Sequence, residues 1–213
     1  DVDAAYHLAD DEPAVHGELL WHMHTPWALA LKAELDGQLV GYAIGHAHAD
    51  TAWLREVYVD AGAHDRGVGT ALVQAALRWM EEQGATAQGV VAVEGTEHFW
   101  ERFGFVPEVP LLQYSGGKFF RASLDEVVDL EPHHLLAALH LDRRATGEDR
   151  STWLRERLYL GNVWLEGGRV RGFLLPLAGH GLIVADNALV GLELQRWLWP
   201  IQESIILPAG ATA

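Results

Sequence analysis

Residues Ala61–Thr70 have the glycine-rich sequence AGAHDRGVGT, which is the most informative segment for predicting the fold. They follow Thr51–Asp60, which is predicted to be a strand, and they lead into Ala71–Gln83, whose apolar residues recur on one face of a helix. Because Gly67 and Gly69 lack side chains, backbone N–H groups can approach an anion closely, and the positive end of the helix dipole points at the same place. The sequence therefore predicts a phosphate-binding turn between a strand and a helix.

The residues around this turn exclude two other glycine-rich phosphate motifs. A P-loop ends in Gly-Lys-Ser/Thr, but here Gly69 is followed directly by Thr70, without a lysine. The dinucleotide fingerprint requires a third glycine three residues after the second, and that position is Leu72. The turn thus differs from the common sites for nucleoside triphosphates and dinucleotides.

The segment from His64 to Gly69 (HDRGVG) closely resembles the coenzyme A motif of the GNAT N-acetyltransferases, Gln/Arg-x-x-Gly-x-Gly/Ala. The next signature of that family is a short helix closing with Tyr-x-x-x-Gly-Phe, and Trp100–Phe105 (WERFGF) is similar to it. The resemblance covers residues 10–114. It implies an N-acetyltransferase that moves an acetyl group from acetyl-CoA to a primary amine of a small molecule or peptide. The alternative is a non-catalytic module of the same fold that binds acyl-CoA or a protein partner.

The resemblance also implies how acetyl-coenzyme A would bind. Its pantetheine arm is expected between splayed strands near Leu54–Val59 and Gln88–Val93, and its pyrophosphate on the backbone amides of Arg66–Thr70. The cofactor-binding residues predicted in this way are Val57, Tyr58, Val59, His64, Asp65, Arg66, Gly67, Val68, Gly69, Thr70, Phe99 and Trp100.

Acetyl transfer needs a base that removes a proton from the ammonium group of the acceptor. Glu56 is the first candidate, because many GNAT members carry a glutamate on the strand before the pyrophosphate turn. His46 and His48 come second, since they alternate along a predicted strand and share one face of it. That face is also expected to carry Val40, Tyr42 and Ile44.

Trp100 stands where many members of the family have a tyrosine that protonates coenzyme A. An indole is not a useful acid, so this role passes to water or to another tyrosine. Tyr58 and Tyr114 are the candidates in the sequence.

The order of predicted elements in the first half of the chain returns in the second. The turn Asp36-Gly37 matches Gly167-Gly168, and each predicted hairpin is followed by strand, helix and strand. We therefore expect an α/β (α+β) GNAT fold, a mixed central sheet flanked by helices, in two tandem domains. Residues 1–114 would bind acetyl-CoA. Residues 118–213 would be a degenerate copy without Gly-x-Gly, incomplete at its C-terminus, with an open sheet edge at Ser204–Leu207 that a partner chain, as in a homodimer, or further residues would cover.

The composition limits the remaining functions. The chain has no cysteine, which excludes disulfides, thiolate metal sites and a cysteine nucleophile. Its net charge of −15 disfavours nucleic acid and favours cationic acceptors. The pairs His22/His24, His46/His48 and His133/His134 could bind metal, but no HExxH spacing accompanies them, so no metal is predicted. Without a signal peptide or a run of about 18 apolar residues, a cytoplasmic protein without membrane contact is expected.

Overall fold

The computed structural model describes residues 23–116 and 126–209, and the chain divides into two compact units between Val106 and Pro107. The apolar spacing of Pro13–His24 predicts a helix, but of this stretch only Met23 and His24 are among the described residues. The elements of the first unit are the strands β1 (Ala28–Leu35), β2 (Gln38–His48), β3 (Thr51–Val59) and β4 (Ala87–Val90) and the helices α1 (Val68–Glu82) and α2 (Glu97–Glu101).

The four strands of the first unit form one mixed sheet in the order β1-β2-β3-β4. The first two pairs are antiparallel, as the Asp36-Gly37 turn predicts, and β3 pairs with β4 in parallel. The long helix α1 connects these parallel strands and packs its apolar stripe on one face of the sheet. Leu72 and Met80 of α1 lie close to Gly41 and Gly45 of β2, where a side chain would collide with the neighbouring backbone of β3. The mixed sheet flanked by helices is therefore confirmed for this unit.

Two bulges decide which side chains of this sheet face α1. Arg55 is an extra residue in β3, because Ile44 pairs with Glu56 while Gly45 pairs with Leu54. Leu54 packs against α1, whereas Glu56 points to the opposite face of the sheet. A second bulge places Val40 as an extra residue of β2, since Ala33 pairs with Gly41 and Glu34 with Leu39.

The bulge in β2 corrects one expectation about the histidine face. Val40 packs with the core on the α1 side instead of lying beside Tyr42 and Ile44. Those two residues form a small core on the opposite face, with Leu39 and Tyr58 packed against them.

The second unit contains a separate antiparallel sheet between two helices. The elements of this unit are β5 (Leu111–Ser115), β6 (Val127–Asp129), α3 (Leu135–Thr146), α4 (Ser151–Arg155), β7 (Asn162–Glu166), β8 (Arg169–Leu175), β9 (Leu182–Ala185), α5 (Ala188–Leu198) and β10 (Ser204–Pro208). The four-stranded sheet has the order β6-β7-β8-β9, with α3 packed on one face and α5 on the other. The strands β5 and β10 form a separate two-stranded sheet.

The strand at Ser204–Leu207, expected at an open edge of the main sheet of the second unit, pairs with another segment of the chain. β10 pairs with β5 in antiparallel fashion from Ser204↔Ser115 to Pro208↔Leu111. Both strands belong to the compact unit formed by residues 107–213.

The hairpins of the two units share an unusual detail. Arg171 is an extra residue in β8, as Val40 is in β2, and each is followed by a glycine. The carbonyl oxygen of Val40 accepts a hydrogen bond from the N–H of Asp60 at 2.8 Å, and that of Arg171 accepts one from Asp186 at 2.9 Å. Each aspartate directly follows the strand after its hairpin, which is β3 in the first unit and β9 in the second. The same local geometry therefore occurs twice at matching places in the order of elements.

No helix within residues 23–116 and 126–209 is long and apolar enough to cross a membrane.

Candidate active site

The glycine-rich turn between β3 and α1 is held by two residues in the left-handed backbone region. Asp65 has φ +58° and Gly67 has φ +80°, and the helix begins directly afterwards, at Val68. Glycine adopts this conformation without the cost that a Cβ atom imposes. A hydrogen bond of 2.9 Å from Nε2 of His64 to the carbonyl oxygen of Val59 ties the turn to the end of β3. His64, at the position of Gln or Arg in the family motif, thus stabilises the turn.

The N-terminus of α1 presents backbone donors to one place. The first hydrogen bond of the helix runs from the N–H of Ala71 to the carbonyl oxygen of Gly67, at 3.0 Å. The N–H groups of Val68, Gly69 and Thr70 precede it and lie at the positive end of a helix of 15 residues. Because Gly67 is the N-cap, no capping side chain competes for them. The donor set fits a diphosphate.

The two sequence signatures meet in space. A Cβ atom on Gly69 would lie 3.6 Å from the ring of Phe99 and 3.6 Å from Val59, which is ordinary contact distance. Phe99 belongs to α2, and its ring packs against Phe103 at 5.3 Å between centroids, while the guanidinium of Arg102 lies 5.0 Å from its centre. The short helix therefore supports the glycine turn directly.

The pairing between β3 and β4 ends before β3 reaches this turn. Their ladder extends from Thr51↔Ala87 to Leu54↔Val90 and ends there, at the bulge of Arg55. β4 is therefore shorter than the buried strand predicted at Gln88–Val93, and Val91 and Val93 are 50% and 74% exposed. Beyond the bulge β3 continues to Val59 with β2 as its partner. The hydrogen-bonded pairing between β3 and β4 thus ends just before Glu56.

Glu56 is held by a tyrosine on the neighbouring strand. The hydroxyl of Tyr42 donates a hydrogen bond of 2.7 Å to Oε1 of Glu56. The Tyr42 side chain is 2% exposed, and its ring stacks on Tyr58 with 5.6 Å between centroids and 18° between planes. Burial, the hydrogen bond to Glu56 and repulsion from its carboxylate together raise the pKa of Tyr42 well above its ordinary value. Tyr42 is therefore a donor to Glu56 throughout the neutral range of pH.

Tyr42 was placed on this face from the sequence, but its contact with Glu56 was not anticipated. Plain alternation along β3 puts Glu56 on the same face as Leu54, toward α1. Only the bulge at Arg55 turns the glutamate to the tyrosine. A β-bulge has no clear pattern in the local sequence, so no sequence feature predicts the contact between Tyr42 and Glu56.

The two histidines of β2 lie side by side, as the alternation predicts. The rings of His46 and His48 are 4.7 Å apart, and Trp27 lies 4.5 Å from His48. His48 is buried. His46 pairs across the ladder with Trp53, next to the Arg55 bulge that precedes Glu56. The structure thus places His46 on the Glu56 face of the sheet.

Trp100 makes its hydrogen bond and its ring contacts with residues in and next to α2. Its Nε1–H donates to the hydroxyl of Thr96 at 3.3 Å, and its ring meets Phe99 and Phe105 edge to face. Trp100 is therefore part of an aromatic cluster on and next to α2. Tyr58 stacks on Tyr42, and Tyr114 lies on β5 in the other unit.

In the second unit, a side chain caps the N-terminus of α5, the helix whose place in the order of elements matches that of α1. Asn187 is the N-cap of α5, and its Oδ1 accepts a hydrogen bond of 3.0 Å from the N–H of Val190. Only two residues separate β9 from α5, so there is no extended glycine turn between them. The helix N-terminus in this unit is thus capped by its own side chain.

Among the described residues, no group of three or more His, Asp or Glu side chains is arranged to hold a metal ion. His133 and His134 stack at 3.8 Å between centroids, and Nδ1 of His134 accepts a hydrogen bond from the N–H of Glu131. His134 thus caps a helical turn, and His133 lies 3.3 Å from the carboxylate of Glu131. His22 lies outside the described residues.

Residues 3–105 match the sequence profile of the acetyltransferase (GNAT) family. A solved structure from Pyrococcus horikoshii, of a protein proposed to be an acetyltransferase, has 19% identity and a TM-score of 0.76. The match covers 98% of this chain and 76% of that one. Ribosomal-protein-alanine N-acetyltransferase from Brucella melitensis biovar Abortus 2308 has 20% identity over 49% of this chain and 82% of that one, with a TM-score of 0.40.

No curated protein sequence shows significant similarity to the chain. The similarity to the Pyrococcus structure shows the fold, and the family profile covers both signatures, from His64 to Phe105. Nearly the whole of the unit that carries the glycine turn is therefore similar to the acetyltransferase (GNAT) family.

Proposed function

We propose that the protein transfers an acetyl group from acetyl-CoA to a primary amine of a small molecule or peptide, within its N-terminal unit. The observation that carries the proposal is the bulge at Arg55. It marks the place where β3 and β4 separate, and it turns Glu56 to the face opposite α1. The uncapped N-terminus of α1 follows at the end of the same strand. The proposed pantetheine channel, the carboxylate and the proposed anion site would thus lie along one strand and the turn after it.

The chain's own groups would hold the coenzyme in three places. The amides of Arg66–Thr70 would bind the pyrophosphate, with the exposed guanidinium of Arg66 adding positive charge. The backbone of Val57–Val59, beyond the end of the β3–β4 ladder, would hold the pantetheine arm. Phe99 and Trp100 would form an apolar wall beside it. When bound, acetyl-CoA would supply the activated acetyl thioester.

Glu56 is the proposed general base. An ammonium group cannot attack a carbonyl carbon until it loses a proton, and a partly exposed carboxylate can accept that proton from the acceptor. His46 and His48 are the second choice, although the burial of His48 leaves His46 as the better placed of the two. The indole N–H of Trp100 is not a useful acid and is hydrogen-bonded to the hydroxyl of Thr96. We therefore assign protonation of the departing thiolate to water or Tyr58.

The second unit is proposed to be a degenerate GNAT-like copy. The paired bulges at Val40 and Arg171 and the matching hydrogen bonds from Asp60 and Asp186 support a common origin for the two units. The capped N-terminus of α5 argues against a second pyrophosphate site there. We propose that this unit contributes to acceptor binding or to a homodimer. The net charge of −15 favours a cationic acceptor, and we propose a cytoplasmic location.

The proposal is tested by mixing the protein with acetyl-CoA and a panel of primary amines and measuring the release of free thiol. The variant Glu56→Gln keeps the shape of the side chain but cannot take a proton. Its rate at neutral pH should fall by about 10²-fold or more, while acetyl-CoA binding is retained. The control is Glu34→Gln, which removes an exposed carboxylate from β1 that pairs with Lys32. A wild-type rate for Glu56→Gln would remove Glu56 from the mechanism, and binding without thiol release by the wild type would favour the non-catalytic module.

A further inference from the structure

Tyr42 reaches Glu56 across the ladder between β2 and β3. Ile44 pairs directly with Glu56 and Tyr42 with Tyr58, so Tyr42 is the diagonal neighbour of the glutamate. Its hydroxyl donates to Oε1 of Glu56 at 2.7 Å. This hydrogen bond connects residues that are 14 positions apart in the sequence.

The ring of Tyr42 is fixed in position by its surroundings. Together with Ile44 it forms a buried core on the Glu56 face, with Leu39 and Tyr58 packed against it. The parallel stacking with Tyr58 limits the tilt of the ring. A phenol that cannot move holds its hydroxyl at one place, so Oε1 of Glu56 is anchored to the sheet.

The anchored carboxylate retains one oxygen for chemistry. Among the described residues Tyr42 provides the side-chain hydrogen bond to Glu56, and it does so at Oε1. Oε2 is therefore the oxygen that can take a proton from an acceptor. A hydrogen bond donated to a carboxylate also favours its ionised form, which is the form that acts as a base.

We propose that Tyr42 is a positioning residue, which fixes Glu56 through Oε1 so that Oε2 is presented to the acceptor amine. The inference rests on the proposed function, because it assigns Tyr42 a role through the proposed base. It adds a requirement that the proposed function does not contain, namely that the rate depends on a buried phenol that touches neither substrate.

The other charged or titratable side chains on β1, β2 and β3 are those of Lys32, Glu34, His46, His48, Arg55 and Tyr58. Tyr42→Phe leaves all of these residues in the chain, and Lys32 keeps its partner Glu34 at 2.7 Å. The variant removes only the hydroxyl that donates to Glu56.

Tyr42→Phe removes the hydroxyl and keeps the ring, and Tyr159→Phe, an exposed tyrosine of the second unit, is the matched control. For Tyr42→Phe we expect kcat to fall about tenfold with an unchanged KM for acetyl-CoA. An unchanged kcat for Tyr42→Phe would overturn the inference.

The double variant Glu56→Gln/Tyr42→Phe separates positioning from a purely structural role. If Tyr42 acts through Glu56, the double variant should be as slow as Glu56→Gln alone. Multiplied losses in the double variant would refute action through Glu56. If wild-type protein binds acetyl-CoA and acetylates no amine, the proposed function fails and the inference fails with it. An active wild type with a normal Tyr42→Phe variant refutes the inference alone.

Discussion

Replacing Gly67 by glutamate should strongly weaken coenzyme binding while the protein remains folded. The residue is the N-cap of α1, with φ +80°, and a Cβ atom there would meet nothing within 4 Å. The new side chain therefore has room, and it would place a carboxylate at the helix N-terminus where the pyrophosphate is proposed to bind. Coenzyme binding should weaken because the new carboxylate repels the pyrophosphate and takes up part of its proposed site.

The two costs of this substitution can be separated in magnitude. A left-handed backbone at a residue with a Cβ atom costs about 1–2 kcal/mol of folding free energy. A carboxylate about 4–8 Å from a phosphate adds about 2–4 kcal/mol of repulsion per unit charge at an effective dielectric constant of about 20. Since about 1.4 kcal/mol is a factor of ten, affinity should fall by about 30-fold to about 10³-fold.

Gly84→Glu is the matched control, because Gly84 lies beyond the other end of α1 with φ +82° and equally open surroundings. Chemical denaturation should show similar losses of stability for the two variants, and calorimetry should show normal affinity for acetyl-CoA in Gly84→Glu alone. Equal affinity in Gly67→Glu and the wild type would refute the assignment of the turn. Equal loss of affinity in both variants would attribute the effect to stability.

Two further predictions concern the second unit. Asn187→Ala should lower the free energy of unfolding by about 1 kcal/mol, because the N–H of Val190 loses its cap, whereas Asn187→Ser should retain most of it; equal denaturation curves for the alanine variant and the wild type would contradict this. Burial, and secondarily the neighbouring His133, lowers the pKa of His134, so its neutral form is favoured in the folded state and stability should decrease as the pH falls below about 6.5. In denaturation curves from pH 7 to pH 5, His134→Asn should lose less stability than the wild type; a steeper loss in the variant would contradict this assignment.

Local patterns predicted most of the regular elements. The turns Asp36-Gly37 and Gly167-Gly168 stand between paired strands, and the apolar stripe of α1 lies against the sheet. Each of these features depends on neighbouring residues, namely a turn that needs positive φ or a side-chain period of 3.6. The glycine turn at Gly67 was predicted for the same reason.

Features that depend on distant pairing were missed. β5 and β10 form a two-stranded sheet although Gln113 and Ser204, which share a hydrogen bond, are 91 residues apart in sequence. Alternation alone cannot identify a partner at such a separation. The bulge at Arg55 is a second case, because a one-residue shift reverses every later side chain of the strand. It is this shift that brings Glu56 to Tyr42.

The central claim is that the turn before α1 holds the pyrophosphate of acetyl-CoA and that β3 and β4 separate to admit its pantetheine arm. A crystal structure of the protein with coenzyme A tests both parts at once. The account predicts diphosphate oxygens at about 3 Å from backbone nitrogens of Arg66–Thr70, with the thiol arm beside Glu56–Val59. A coenzyme bound at the N-terminus of α5, or one whose diphosphate contacts none of these amides, would contradict it.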